Sequence, residues 1–273
     1  MPIEETGGTQ KPAGFLYWQH IDTVILETTR GATARRASRA SEMERLLESI
    51  EETTSRGGSI LIPTFALGRM QELITVLHTA RKEGRLRNLP VFVSGLGIDL
   101  LNQFDRISRG NSSLRIRRKM MRELGAIKLP GTHRPGRERP SIYLLSSGMM
   151  VENTPSYNAA SALLSSPRNT IAFVGYCDPE TPGGRLLATP HGEAFLFKSL
   201  GKSVQVLARI GKFDLSSHAD REELLDFAQS RDPRRVVLTH GDPEARAWFQ
   251  EHLGSGSGDD RVINPFPLQA VKV

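Results

Sequence analysis

Short apolar segments alternate along the chain with longer stretches that carry apolar residues at helical spacing. The short segments are rich in β-branched residues and are bounded by turn-forming residues, which is typical of buried strands. They predict strands at 22–26, 59–62, 91–93, 141–145, 170–174, 203–207 and 236–238. The amphipathic stretches predict helices at 40–56, 67–83, 155–164, 221–229 and 243–252, because one face of each repeats with the helical period.

The alternation of strands and helices predicts an α/β fold, in which helices cover a largely parallel or mixed sheet. With 273 residues, the chain is long enough for one large domain or for two domains of about 100–200 residues each. Two stretches rich in Gly, Pro and polar residues, 129–140 and 254–260, are expected to be exposed connections. The Gly183-Gly184 pair is expected either to bind an anion or to form a tight turn with positive φ angles.

Polar residues follow five of the predicted strands and indicate one candidate site. They are Glu27, Pro63-Thr64, Ser94-Gly95, Ser146-Ser147-Gly148 and His240-Gly241-Asp242. In an α/β sheet the ligand crevice lies outside the carboxyl ends of the strands. A single polar strand end is also explained by a loop that satisfies its own backbone groups. The combination of a carboxylate, a Ser-Gly turn and two histidines, His218 included, favours a functional site.

Two histidines are placed for chemistry. His218 lies in a loop just before Asp220, which is the predicted N-cap of a helix, and is either a group for acid–base work near neutral pH or an incidental loop residue. His240 ends an apolar strand, and its ring either faces the crevice or bonds a turn carbonyl. The turn at Ser147-Gly148 either presents backbone N–H groups and a hydroxyl to a phosphate or is an ordinary turn.

Positive charge is concentrated in one segment. The chain has 36 basic and 30 acidic residues and a net charge of +6. Between residues 105 and 139 there are eleven basic and three acidic residues, a local charge of +8, so the rest of the chain carries −2. This segment is expected either to bind a polyanion such as a nucleic-acid backbone or to be a solvated helix face and loop. Phe, Tyr and Trp are absent from it, so any contact is expected with phosphate and not by stacking on bases.

Composition excludes several classes of protein. The hydrophobic fraction of 38% and the charged fraction of 24% describe a globular chain and not a collagen-like or disordered one. The apolar runs are far shorter than the roughly 20 residues of a membrane span, and the polar start of the chain shows no secretory signal. The single cysteine, Cys177, excludes an internal disulfide and a cysteine zinc cluster. We therefore expect a cytoplasmic protein with no membrane partner.

Seven segments carry a recognisable pattern along nearly the whole chain. They are VILETTRG (24–31), SILIPTFALGRMQEL (59–73), VFVSGLG (91–97), IYLLSSGMM (142–150), TIAFVGYCDPETPGGRLL (170–187), FDLSSHADREELLDF (213–227) and VVLTHGDPEA (236–245). In this order they resemble the β-CASP branch of the metallo-β-lactamase fold, whose members are zinc-dependent nucleases of RNA and DNA processing. The resemblance implies a partial metallo-β-lactamase fold (an αββα remnant) with an inserted β-CASP domain, a largely parallel sheet flanked by helices.

The resemblance also implies roles for five residues. Glu27, His218 and His240 match motifs A, B and C of the family. His240 would then bind zinc, His218 would protonate the leaving oxygen and Glu27 would hold His218 in orientation. Ser147 and Gly148 match a segment that lies near the substrate phosphate. The family reaction is hydrolysis of a phosphodiester by a hydroxide that bridges two zinc ions.

The sequence departs from the family at the metal ligands. Complete members carry an HxHxDH cluster, a further histidine and a bridging aspartate before motif A, and none of these is present in the 273 residues. Asp22 begins a strand and is not assigned as the bridging ligand. We expect the C-terminal part of a zinc hydrolase, with a lactamase strand at 1–34, the β-CASP domain at 35–205 and a returning lactamase segment with the RNA-specificity motif region at 206–273.

The chain by itself is expected to be inactive on RNA, because a two-zinc site needs more ligands than it supplies. The missing half is expected to have been lost by truncation or to lie on a partner polypeptide. The incomplete lactamase part is expected to expose an apolar face and to associate with that partner or with a second copy. The alternative is a catalytically silent RNA-binding or scaffold subunit that uses the basic 105–139 segment. RNA or another single-stranded nucleic acid is the expected partner in both cases.

Overall fold

A computed structural model describes residues 21–108, 118–137, 139–254 and 261–272 of the chain. Two units are distinguished: a smaller one from residues 1–36 and 217–273, and a larger one from residues 37–216. Arg109, Arg115 and Arg117 of the basic segment lie outside the described residues, as does most of the predicted loop at 254–260.

The described residues form eleven strands and eight α-helices. The strands are β1 (Thr23–Glu27), β2 (Ile60–Pro63), β3 (Val91–Val93), β4 (Ala126–Lys128), β5 (Ile142–Leu145), β6 (Thr170–Phe173), β7 (Ala194–Phe197), β8 (Lys202–Gln205), β9 (Arg209–Lys212), β10 (Arg235–Thr239) and β11 (Val262–Ile263). The helices are α1 (Arg39–Ser55), α2 (Arg69–Lys82), α3 (Gly95–Ser108), α4 (Lys119–Glu123), α5 (Pro155–Leu163), α6 (Pro182–Ala188), α7 (Arg221–Arg231) and α8 (Pro243–Leu253).

The larger unit is built on a six-stranded parallel sheet in the order β4-β3-β5-β2-β6-β9. Alternate residues of a strand point to opposite faces of a sheet, and here Ile60 and Ile62 join one apolar core while Leu61 joins the other. The first core includes residues of α1 and α2, and the second includes residues of α5, α6 and the antiparallel β7-β8 hairpin. Because both faces are buried, the strands read as continuous apolar runs.

The smaller unit contains three parallel strands in the order β1-β10-β11, with helices α7 and α8. Val24 and Leu26 of β1 share an apolar core with Phe249 of α8. Ile25 lies between them and is 73% exposed, whereas Val237, its neighbour on β10, is buried. Of these two positions, only Ile25 contributes to the expected exposed apolar face.

All seven predicted strands and all five predicted helices are present, with ends shifted by a few residues. The expectation of a buried strand at 203–207 was wrong, because β8 lies in a hairpin and three of its four residues are exposed. The Gly183-Gly184 pair does not form a positive-φ turn but lies in α6. A Cβ at Gly184 would lie 2.1 Å from the Asp178 carbonyl oxygen. None of the helices in the described part of the chain has the length and apolar character needed to cross a bilayer.

Candidate active site

Parallel pairing brings Glu27 and His240 together in the smaller unit. Strand β1 lies beside β10 with Glu27 opposite Thr239, so the residue that follows Thr239 lies at the same end of the sheet as Glu27. Both are carboxyl ends of strands, where α/β proteins place their ligand sites. Two of the five polar strand ends named from the sequence therefore meet.

His218 reaches the same place from the loop before α7. Asp220 is the N-cap of that helix, as predicted, and its backbone N–H donates to Glu223 Oε2 over 2.8 Å, which is half of a capping box. The Asp220 carboxylate also forms ion pairs with Arg30 and Arg35, each at 3.1 Å. These contacts fix the short segment that carries His218.

Glu27, His218 and His240 form one cluster of side chains. One potential ligand atom from each lies within 4.8 Å of the other two. Glu27 Oε1 and His218 Nδ1 are hydrogen-bonded at 3.2 Å, and the ring centroids of the two histidines are 5.5 Å apart. The side chains of Glu27 and His218 are 28% and 40% exposed, so a ligand can reach them from solvent.

Thr29 contacts two of these three residues. Its backbone N–H donates to Glu27 Oε2 over 2.9 Å. Its hydroxyl donates to the His240 carbonyl oxygen over 2.9 Å and lies 3.1 Å from Nδ1 of the same residue. An Nδ1–H group of His240 can donate to this hydroxyl oxygen, an arrangement that leaves the Nε2 lone pair able to bind a metal.

His240 adopts a left-handed backbone conformation with a φ of 50°. For a residue other than glycine this conformation costs about 1–2 kcal/mol, so neighbouring contacts must hold it. Thr28 supplies one of them, because its hydroxyl donates to the Thr239 carbonyl over 3.0 Å. Glycine follows at position 241, where a Cβ would lie 2.2 Å from Thr28 Oγ1. The turn after β10 is thus fitted closely to the residues after β1.

Glu27 is ionised at neutral pH. Burial alone would raise its pKa, but hydrogen bonds from Thr29 and the neighbouring His218 outweigh burial and hold the pKa of Glu27 below its ordinary value. The carboxylate can therefore accept the His218 Nδ1 proton. Arg30 and Arg35 both form ion pairs with the Asp220 carboxylate, two residues from His218.

The cluster fits zinc in the type of its donors. Zinc binds His nitrogen and carboxylate oxygen at about 2.0–2.2 Å, and all three side chains offer such atoms. Glu27 and His218 are hydrogen-bonded to each other, and His240 contributes the third potential donor. Within the described residues no second cluster of three such side chains is found. The three donors are too few for a pair of zinc ions.

Ser147 and Gly148 belong to the larger unit and follow β5. Ser147 Oγ accepts the Val151 N–H at 3.0 Å, and the Ser147 carbonyl accepts the Ser156 hydroxyl at 2.7 Å. The Ser147 hydroxyl can still donate its own proton to an anion. A Cβ at Gly148 would lie 3.0 Å from the Phe65 ring, so a side chain here would require Phe65 to shift by a few tenths of an ångström.

The five polar strand ends lie on two sheets. Those after β1 and β10 are in the smaller unit, and those after β2, β3 and β5 are in the larger one. In the larger unit Ser94 and Ser146 share a hydrogen bond of 3.0 Å between their hydroxyl groups. Periodicity alone could not assign the strands to separate sheets.

Sequence reasoning missed three residues of the site, namely Thr29, Arg30 and Arg35. A usable local signal existed for Thr29, because a residue two positions after a strand-end carboxylate can return its backbone N–H to that carboxylate. Its contact with His240 had no local signal, since the two residues are 211 positions apart.

Known families match two parts of the chain. Residues 70–186 match the Beta-Casp domain. Residues 203–265 match the Zn-dependent metallo-hydrolase RNA specificity domain. The second match contains both His218 and His240.

Curated relatives align over most of this chain. It is 31% identical over 241 residues to "Transcription termination factor FttA" of Pyrococcus abyssi, an alignment that covers 82% of this chain and 37% of the relative. It is 32% identical over 237 residues to "Ribonuclease TTHA0252" of Thermus thermophilus, an alignment that covers 82% of this chain and 52% of the relative. It is 25% identical over 244 residues to "Integrator complex subunit 11 homolog" of Dictyostelium discoideum, an alignment that covers 85% of this chain and 32% of the relative. The chain thus spans about a third to a half of the length of these relatives.

The α/β fold, with Glu27 and His240 at adjacent strand ends, and the match to the Zn-dependent metallo-hydrolase RNA specificity domain define the fold class of the protein as that of the metallo-hydrolases. Within that class, the chain belongs to the β-CASP family of metallo-β-lactamase-fold hydrolases. The predictions of family and of fold class are therefore confirmed. Zinc is the metal on which the matched family domain depends.

Proposed function

We propose that this chain is the C-terminal part of a zinc-dependent phosphodiesterase that cleaves RNA. The family supports the reaction class, and RNA is supported by the matched RNA specificity domain and by a relative named as a ribonuclease. When zinc is bound, it lowers the pKa of a water molecule and neutralises charge that develops on the phosphate.

In this proposal His218 is the catalytic acid and Glu27 is its positioning partner. The Glu27 carboxylate holds the Nδ1 side of the ring, so Nε2 is the nitrogen that gives its proton to the leaving oxygen. The 3.2 Å contact between Glu27 and His218 is the observation that carries the proposal. This contact joins two residues that are 191 positions apart in the sequence. It holds the His218 ring in the orientation that a catalytic acid needs.

His240 is the proposed zinc ligand, through Nε2, with Thr29 as the hydrogen-bond partner that fixes its ring. Ser147 and Gly148 are the proposed contacts to the substrate phosphate. Ser147 would donate its hydroxyl proton, and Gly148 would let the phosphate approach the backbone because it has no side chain. Arg30 and Arg35 would add positive charge near the scissile group.

We further propose that the 273 residues alone do not cleave RNA. They contain no HxHxDH cluster, and two zinc ions need roughly five or more ligands between them. The partner is then a polypeptide that supplies these ligands, or a second copy that associates through the exposed Ile25 region. A relative named as a subunit of a complex supports assembly. The single free cysteine, Cys177, supports a cytoplasmic location.

An RNA-cleavage assay with a zinc titration tests this proposal. The isolated chain is expected to show no zinc-dependent turnover. After addition of a lactamase-half polypeptide that carries the HxHxDH cluster, turnover is expected, and His218→Ala should lower it by about 10²–10⁴-fold. Zinc-dependent turnover by the isolated chain would refute the proposed inactivity. Restored turnover that is indifferent to His218→Ala would refute the role of His218.

A second candidate function is an RNA-binding or scaffold subunit without catalysis. Within the described residues, Arg118, Arg122 and Lys128 of the basic segment form no ion pair and so keep their charge for a ligand. In that case RNA affinity should fall steeply with salt concentration and survive His218→Ala. Cleavage regained with the ligand-bearing polypeptide would instead favour the catalytic function.

A further inference from the structure

A cavity of about 930 Å³ lies between α3, α4 and β4 of the larger unit. Its volume falls in the range of small-molecule sites, about 300–1,000 Å³, and it is larger than an inorganic phosphate requires. None of Glu27, Ser147, Gly148, His218 and His240 lines it. It is therefore a candidate ligand site that the proposed reaction does not use.

The lining of the cavity is strongly basic. It contains four cations and one carboxylate, namely Arg118, Lys119, Arg122, Lys128 and Asp105. Lys119 has Glu123 at 3.9 Å, whereas the other three cations have no ion-pair partner among the residues that the structure describes. The Asp105 carboxylate accepts the backbone N–H of Arg118 at 3.1 Å. The excess of cations favours an anionic ligand.

Apolar side chains also line the cavity. Ile98 and Ile127 keep accessible surface, whereas Leu101 and Met121 are buried. A bare phosphate gains nothing from Ile98 and Ile127, whereas the flat face of a nucleobase can pack against them. The apolar side chains thus point to a ligand in which an anionic group is attached to a larger, poorly hydrated group.

Asn102 adds a polar group to this lining. Its Oδ1 atom is buried and has no hydrogen-bond donor within the described residues, and an unsatisfied buried acceptor is costly. The terminal torsion of asparagine is broad, so the amide can turn toward a ligand. Exocyclic amino groups of bases are donors that this oxygen would accept.

We propose that this cavity binds a nucleotide, either free or as one unit of an RNA strand. Arg118, Arg122 and Lys128 hold the phosphate. The base packs on the apolar side chains and donates an N–H group to Asn102. This inference goes beyond the proposed reaction and does not depend on it, because the cavity lies wholly in the larger unit and Glu27, His218 and His240 lie in the smaller one.

Binding to the full chain tests the phosphate side of the proposal. The probe is a fluorescein-labelled oligoadenylate of ten nucleotides, with AMP and inorganic phosphate as ligands in separate titrations at constant ionic strength. Arg122→Ala and Lys128→Ala are each expected to weaken AMP binding about tenfold. Arg137→Ala is the matched control, because Arg137 is exposed in the same basic segment but does not line the cavity. Its effect should stay below about twofold, and the melting temperatures of the variants should match that of the wild type.

The base side of the proposal is tested with Asn102→Leu, which keeps the bulk of the side chain and removes the buried oxygen. AMP affinity should fall about threefold or more, with phosphate affinity unchanged. Competition of AMP with the oligonucleotide would assign the cavity to a unit of RNA, and AMP binding without competition would assign it to a free nucleotide. Equal losses in Arg122→Ala, Lys128→Ala and Arg137→Ala would overturn the proposal, because they indicate diffuse attraction. AMP binding no tighter than that of inorganic phosphate, or no binding of either, would also overturn it.

Discussion

At the scale of single residues, Thr29 contributes most to the arrangement of the candidate site. Its backbone N–H donates to the Glu27 carboxylate, and its hydroxyl lies within hydrogen-bond distance of both the carbonyl oxygen and Nδ1 of His240. Hydrogen-bond partners of metal-binding histidines fix the ring and the nitrogen that faces the metal. One threonine therefore orients both the carboxylate beside the proposed acid and the proposed metal ligand.

Thr29→Val should separate these two effects, because it removes the hydroxyl and keeps the backbone N–H. We expect zinc affinity at His240 to fall about tenfold or more, measured by calorimetric titration of the chain with zinc. Thr29→Ser retains the hydroxyl and should bind zinc like the wild type. Equal losses of zinc affinity in Thr29→Ser and Thr29→Val would show that the Thr29 hydroxyl is not responsible for zinc binding at His240.

The sequence allowed Glu27, His218 and His240 to be named because each stands at a recognisable local position. Two follow apolar strands, and the third precedes a helix cap at Asp220. Their proximity was expected from the shared carboxyl edge of the strands, and the resemblance to a family supported it. Thr29 could not be assigned in this way, since its role depends on a strand far away in the chain.

At the scale of elements, the register of β1 on β10 sets the geometry of the site. A shift of the register by one residue would move Glu27 to the other face of the sheet. Seven of the eleven strands in the described residues were predicted from their apolar runs, whereas β4, β7, β9 and β11 were not. Helix α4 was not predicted either, nor were α3 and α6, each of which contains two glycines that suggest turns. These glycines serve close packing, as at Gly97, where a Cβ would lie 1.8 Å from Met70 Sδ.

Gly184→Ala tests whether close approach explains the glycines of α6. The added Cβ would lie 2.1 Å from the Asp178 carbonyl oxygen, so the backbone must move. We expect the free energy of unfolding to fall by about 2 kcal/mol or more, measured by urea denaturation. Gly131→Ala is the control, since it has open space around it and no positive φ, and its effect should stay within about 0.5 kcal/mol. Similar effects of the two substitutions would contradict this explanation.

Glu42 on α1 ties this helix to the chain that follows β9. Its carboxylate accepts Arg45 Nη2 at 2.7 Å and the Asp214 backbone N–H at 2.6 Å. The hydrogen bonds from Arg45, opposed by burial and helped by the Asp214 N–H, hold the pKa of Glu42 below its ordinary value. A carboxyl group with a lowered pKa stabilises the fold above the pKa of the unfolded chain. That stabilisation is lost as the pH falls through the lower, folded value.

Glu42→Gln should therefore lower the free energy of unfolding by about 1–2 kcal/mol at neutral pH and by less in acid. Urea denaturation between about pH 7 and pH 3 measures the difference, which should shrink below the ordinary pKa of 4.5. Glu44→Gln is the matched control on the same helix, because the Glu44 side chain is 49% exposed in its ion pair with Arg85. Solvent-exposed ion pairs contribute little to the free energy of unfolding. A difference between wild type and Glu42→Gln that does not change with pH would contradict the account.

At the scale of the whole molecule, the order of motifs was the most informative feature of the sequence. It identified the family before the fold was known, because that order extends over both units. The charge distribution identified the basic segment in the sequence. In the structure, part of this segment lines a cavity. Periodicity could not divide the polar strand ends between two sheets, since strand pairing depends on contacts between distant segments. The resemblance to the family did assign them to separate parts of the chain.

The proposed chemistry depends most on the smaller unit being a metal site in which His240 binds through Nε2. Zinc titration of the ¹⁵N-labelled chain, followed through the NMR signals of the histidine ring nitrogens, tests this directly. We predict that His240 responds at the lowest zinc concentration, with a shift of Nε2 and a retained proton on Nδ1, and that His240→Ala abolishes this first binding event. A His240 ring that stays unchanged at zinc concentrations that shift the other histidines would contradict the account.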